Sequence, residues 1–222
     1  MCEAYVPTLP PARPDGIPCA SARATAAVRW PENLSGGGEV TGSRPPKGVS
    51  AAVTWGLFAA WAANDIEELA TMARWPRRAR PRLEARFPGV PASVWNRMDV
   101  SQRHVNVSIA LMGGIIAAAS AEGARTGGRS PVFRTVLTGF GLHGLVHMAQ
   151  SAGYRGYTPG VATSPTVVVP YTLWALHRLR VAGIPAGGRR EAALGLALLP
   201  VATAAVHGLA RVICDGRHAS KG

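Results

Sequence analysis

Five stretches of this sequence contain no Asp, Glu, Lys or Arg: 48–64, 104–121, 135–154, 156–177 and 192–210. At an ordinary charge content of about one residue in four, a given 20-residue stretch is free of charge roughly 0.3% of the time. Five of them in 222 residues therefore constrain the fold more than any other feature. About 20 apolar residues cross the hydrocarbon core of a bilayer as a helix. The spacing predicts transmembrane helices near 50–73, 104–122, 133–153, 162–182 and 192–213, an all-α polytopic membrane helix bundle. The first helix reaches spanning length only by running through Asp65, Glu67 and Glu68. A soluble bundle of buried helices is the competing reading. The all-round apolarity of 192–205 and the short connection at 153–160 favour lipid as the surrounding solvent.

Composition agrees once it is read by region. Charged residues make up only 16% of the chain, and the mean hydropathy of +0.11 is modest because residues 1–48 dilute it. That segment carries Pro7, Pro10, Pro11, Pro14, Pro18, Pro31, Pro45 and Pro46 with no apolar periodicity, so we expect a disordered tail. The helical domain follows over 49–213, and 214–222 reads as a C-terminal tail. Cys2, Cys19 and Cys214 are an odd set without close spacing, which excludes a disulfide framework and a cysteine zinc site. No basic-then-apolar run of signal-peptide form opens the chain.

The formal net charge is +12. Much of it lies over 73–103, where Arg74, Arg77, Arg78, Arg80, Arg82, Arg86, Arg97 and Arg103 face only Glu84 and Asp99. This reads as a basic loop, 73–103, and beside membrane spans it is expected on the cytoplasmic side, in contact with anionic lipid headgroups. Few aromatic residues interleave these arginines, so no nucleic-acid partner is expected. Five spans then put the N-terminus outside and the C-terminus inside the cell membrane. Arg178, Arg180, Arg189 and Arg190 pull against that orientation.

Ionisable groups inside a span are costly and need a reason to persist. On a 3.6-residue period Asn64, Glu67, Glu68 and Thr71 share one face of the first helix. His143 and His147 share a face of the third, continued by Gln150 and Tyr154. Position 144 is Gly, so this pair is not the HExxH of a zinc protease. The first, third and fifth spans run in the same direction. Glu67, His147 and His207 lie at similar distances from the starts of their helices, roughly 21–25 Å at about 1.5 Å per residue. The antiparallel spans reach the same layer with Gln102, His104 and Asn106, then with Thr158, Thr163 and Ser164. Polar side chains from every helix thus converge on the half nearest the basic segment.

Several separated motifs carry a resemblance. Asn64-Asp-Ile-Glu67-Glu68-Leu, Gly-Leu-His143-Gly-Leu-Val-His147, Tyr157-Thr158-Pro159-Gly160 and Pro170-Tyr171-Thr-Leu-Trp174 together resemble the HXXEE-domain family of bacterial integral membrane proteins. The family is named for a first-helix His, two spacers and Glu-Glu, and its acids fall on Glu67 and Glu68. The name-giving His is Asn64 in this chain. The resemblance implies an architecture and a site, but no reaction.

Three functions fit these residues. In a metal-dependent membrane enzyme, Glu67, Glu68, His143 and His147 hold a divalent ion such as Zn, Fe or Mn, for which mixed carboxylate and imidazole donors are suited. One of Glu67 and Glu68 would serve catalysis as general base, on an apolar substrate. Asn64, His104, Gln150, Thr158 and His207 would support the ligands from a second layer. In a proton-coupled carrier the same acids and histidines exchange protons without a metal. In a structural or partner-binding membrane protein they are interhelical hydrogen bonds.

Overall fold

The computed structural model describes residues 48–219, so the expectations for 1–47 and 220–222 lie outside the described residues. These residues form an all-α fold of seven α-helices and one π-helical turn. The helices are α1 (Ala51–Thr71), α2 (Trp75–Arg86), α3 (Ala92–Met98), α4 (Gln102–Arg125), α5 (Pro131–Tyr154), α6 (Val169–Val181) and α7 (Arg189–Ala219), with the π turn at Ser164–Val168.

Local chemistry explains where these elements begin and end. The Ser101 hydroxyl accepts from the His104 N–H and caps α4. Ser130 accepts from the Phe133 N–H at the start of α5, and Pro131 takes the first helical position. α5 ends with Arg155 in the left-handed region (φ 56°), and the Gly156 N–H donates back to the Ser151 carbonyl. The wide turn before α6 has a cause in Pro170, whose ring has no N–H and crowds the carbonyl four residues earlier.

Three expectations change. The segment 73–103 is not a loop, because α2 and α3 fold within it and Arg80 pairs with Glu84 (2.7 Å) and Asp99 (3.7 Å). The fourth expected helix is interrupted by the π turn. α7 continues to Ala219, through most of the expected tail at 214–222.

The five long elements close on one another: α1 packs on α4, α4 on α7, α7 on α5, α5 on the π turn and α6, and these on α1. α1 and α5 face each other across the middle with marginal direct contact. Phe133, Leu137 and Phe140 of α5 join Val53, Leu57 and Trp61 of α1 and Leu176 and Leu179 of α6 in the core. Glycine sets the closest approach. A Cβ on Gly195 of α7 would lie 2.8 Å from the Gly139 Cα of α5, so the two backbones cross with nothing between them.

Large apolar side chains are exposed along two of the long helices. On α7, Leu194, Leu196, Leu198, Val201, Leu209 and Val212 are all exposed, and on α5 so are Val132, Leu145, Val146 and Met148. By length and composition two helices, Gln102–Arg125 and Arg189–Asp215, are apolar enough to cross a membrane.

Candidate metal centre

α1 turns four polar side chains away from its apolar surface, and they separate into two groups. Glu68, 6% exposed, reaches across the middle of the bundle to α5. Its Oε1 lies 2.9 Å from His147 Nε2 and 3.7 Å from His143 Nε2, and the two Nε2 atoms are 2.7 Å apart. The imidazole planes meet at 76° with centroids 4.2 Å apart, so both Nε2 atoms face the same region as Glu68. Glu68, His143 and His147 thus offer three ligand atoms that all lie within 4.8 Å of one another. A tetrahedral ion at about 2.0–2.1 Å from each nitrogen would set the two nitrogens about 3.3 Å apart, a small rotamer adjustment. The spacing of four residues on α5 brings the two imidazoles together on the face that Glu68 meets.

Asn64 completes this group. It is fully buried, its Nδ2 donates to Glu68 Oε1 at 3.0 Å, and its Oδ1 accepts from the Thr163 hydroxyl at 2.9 Å. Asp65 lies buried beside it and interacts with both Asn64 and Glu68. Among the described residues no Arg or Lys lies within ion-pair distance of Asp65 or Glu68, and the basic side chains nearest Glu68 are the two histidines.

Glu67, expected to join the histidines, does not. Adjacent helix positions point about 100° apart, and Glu67 turns to the segment that leads into the π turn. Its Oε1 accepts from the Tyr157 hydroxyl (2.6 Å) and the Ala162 N–H (3.2 Å). Its Oε2 accepts from the Thr163 N–H (2.9 Å) and hydroxyl (2.7 Å). Four donors leave this carboxylate neither a ligand nor a base for the His143–His147 pair. Burial and the neighbouring Glu67 push the Tyr157 phenol above its usual pKa, so it remains a donor.

The expected supporting residues disperse. Gln150 is exposed on the outside of α5. His104 and His207 bond to each other at 2.8 Å rather than to the ligands. Thr158 is buried in the 157–163 segment with its hydroxyl unpartnered, as is His147 Nδ1. A ligating histidine normally uses its second nitrogen for such a partner.

Asp65, Tyr157 and Gly160 belong to this region although sequence reasoning did not select them as site residues. Gly160 has φ +82°, and a Cβ there would sit 2.7–2.9 Å from three atoms of the His147 ring. The imidazole lies flat on the bare Gly160 backbone.

The profile of a family described as "Protein of unknown function with HXXEE motif" matches residues 55–175. The chain belongs to this family. The match spans α1 through most of α6 and so contains Glu67, Glu68, His143 and His147. No curated protein and no solved structure matches the chain.

Proposed function

We propose that this HXXEE-family chain is an integral membrane protein of five spans that holds a divalent cation, Zn, Fe or Mn, on Glu68, His143 and His147. The observation that carries the proposal is Glu68, a buried carboxylate whose Oε1 faces two imidazoles and, among the described residues, no Arg or Lys. Buried charge is stable only when paired or bound to a metal. A cation between Glu68 and the His pair supplies the missing positive charge at the point where three donors already converge.

The membrane placement rests on where the apolar surface is. α7 exposes its Leu and Val side chains instead of burying them, the reverse of a core helix in a soluble bundle. Trp75, Tyr154 and Tyr157 gather at one end, where Trp75 Nε1 donates to the Tyr157 carbonyl (2.7 Å) and Arg82 lies 4.8 Å above the Tyr154 ring. Aromatic and arginine side chains collect in this way at membrane–water interfaces. The basic end therefore faces the cytoplasm and anionic lipid headgroups. The centre sits in that half of the bilayer, and Asn64 stands at the position of the motif's name-giving histidine.

Three protein donors leave a coordination position for water or substrate, the pattern of a catalytic rather than a structural zinc site. The chemistry that fits is metal-assisted attack on an apolar or lipid-like substrate that enters from the bilayer. The structural reading keeps one observation in its favour, since Glu68 Oε1 already accepts from Asn64 and faces both histidines. Elemental analysis of detergent-purified protein separates the two. About one metal per chain, lost in Glu68→Gln, supports the enzyme; metal-free wild type that refuses added Zn2+ overturns it.

A further inference from the structure

α7 is fastened to the bundle at two places. Near its start the Gly195 backbone crosses Gly139 of α5, and Glu191 pairs with Arg134 of α5 at 3.6 Å. Further along, His207 Nδ1 lies 2.8 Å from His104 Nε2 of α4 and 3.3 Å from the Ser108 hydroxyl. Among the described residues these are the hydrogen bonds that join the second half of α7 to another helix. Its buried side chains there, Val206, Ala210 and Cys214, are small. Pro200 lies between the two fixings, and because it has no N–H it leaves a gap in the hydrogen-bond ladder of α7.

The two imidazole planes differ by only 19°, with centroids 5.0 Å apart. Rings in a 2.8 Å nitrogen contact reach that separation only when each points its nitrogen at the other. Such an in-line contact has room for one proton. In the neutral pair one ring donates it, and the other keeps its own N–H on the far nitrogen. A first added proton goes to the far nitrogen of the donor, and the contact survives. A second would set N–H against N–H.

We propose that His104 and His207 are an acid-sensitive clasp that holds the second half of α7 on α4 and releases it when both rings are protonated. The clasp does not depend on whether the Glu68 centre holds a cation. Apart, the two rings take up two added protons; clasped, they take up one. The open state therefore gains as pH falls below the ordinary imidazole value of about 6.5, by up to about tenfold per pH unit. His104 stands in the first turn of α4 next to exposed Gln102 and Arg103, so protons reach the pair from the basic end.

The charges that bear on the pair are Glu68 of α1 and, one and two turns along α7 from His207, Arg211 and Asp215. The other acids of α1 are turned elsewhere, Asp65 to Asn64 and Glu67 to Thr163. On α5, Arg134 pairs with Glu191, His143 and His147 face Glu68, and Tyr154 lies under Arg82. These groups set where on the pH scale the second proton arrives; the line between the two nitrogens decides that it breaks the contact.

The test measures the distance between spin labels on Arg103→Cys and Val212→Cys, both exposed positions, in the full chain with Cys2, Cys19 and Cys214 replaced by Ser. The protein sits in vesicles of phosphatidylethanolamine and phosphatidylglycerol with chelator present. One distance is expected at about pH 7.5, and a longer one should grow in below about 6.5. In His104→Gln and His207→Asn the amide nitrogens stand in for Nε2 and Nδ1 without titrating, so a single distance should persist at every pH. Labels on Ile66→Cys of α1 and Arg103→Cys should not move. A single wild-type distance down to about pH 4.5 overturns the clasp without recourse to either variant. So does an acid response that survives in both amide variants, or equal movement of the α1–α4 labels.

Discussion

Glu68 Oε1 lies 2.9 Å from His147 Nε2 across the gap between α1 and α5, two helices with marginal contact elsewhere. The next residue back, Glu67, accepts four hydrogen bonds on another side of α1. Two adjacent acids therefore have separable roles. Glu68→Gln should weaken Zn2+ binding by more than about a hundredfold, a loss at least as large as that from disturbing a ligand's support. Glu67→Ala should leave Zn2+ binding within about threefold while costing about 1 kcal/mol of stability, since of its donors only the half-buried Thr163 N–H is left without another acceptor. Equilibrium dialysis and thermal unfolding of both variants check this. If Glu67→Ala loses the metal and Glu68→Gln keeps it, the two roles are reversed.

Gly160 supports His147 from below. Gly160→Ala places a methyl 2.7–2.9 Å from the ring and forces a side chain into φ +82°. The strain costs about 1–3 kcal/mol, and the displaced ring should lose its alignment with Glu68. The expected result is a folded protein with markedly lower Zn2+ occupancy. Full occupancy in this variant would show that His147 does not need the contact.

The helical skeleton was legible because charge exclusion is a one-dimensional signal. The spans expected from the uncharged windows locate α1, α4 and α5 to within three residues and the π turn with α6 to within two, while α7 runs six residues past its expected end. α2 escaped because its arginines and Pro81 hide any apolar periodicity, and its buried face is the single small residue Ala79. The site was half legible. The i, i+4 spacing brings His143 and His147 together on any α-helix, whereas the choice between Glu67 and Glu68 depends on how α1 is rotated against α5 and the 157–163 segment. Period alone gives both acids similar claims. Asp65 belongs to the acid run in sequence, and its burial follows only from packing. Gly160 mattered only as the surface beneath a ring, which no local pattern announces.

The bilayer orientation is open to direct test. A single cysteine at Arg86, on the exposed end of α2, is introduced into a chain with Cys2, Cys19 and Cys214 replaced by Ser. It should react with an impermeant thiol reagent only after cells are permeabilised. Ready labelling in intact cells would invert the protein. Release of the wild type from membranes by alkaline carbonate would remove the spanning reading altogether.

Asn64 is the residue on which the metal reading can be pressed hardest. It is fully buried one turn before Glu68, and its amide nitrogen lies 3.0 Å from the same Oε1 that faces both histidines. An imidazole at this position points into the centre as a fourth donor, and a fourth nitrogen or oxygen ligand completes a tetrahedral zinc site. The replacement also removes the amide oxygen that accepts from Thr163, whose hydroxyl retains Glu67 Oε2 as a partner. Asn64→His should therefore raise Zn2+ affinity by about tenfold or more, with the loss of one neutral hydrogen bond, about 1 kcal/mol, as its cost in the metal-free protein. Thermal unfolding with and without Zn2+ reads both effects at once: a lower midpoint in chelator and a larger zinc-dependent rise than wild type. If zinc raises both midpoints equally, Asn64 is not a ligand position. If zinc raises neither, the cluster binds no cation, and Glu68, His143 and His147 only fasten α1 to α5.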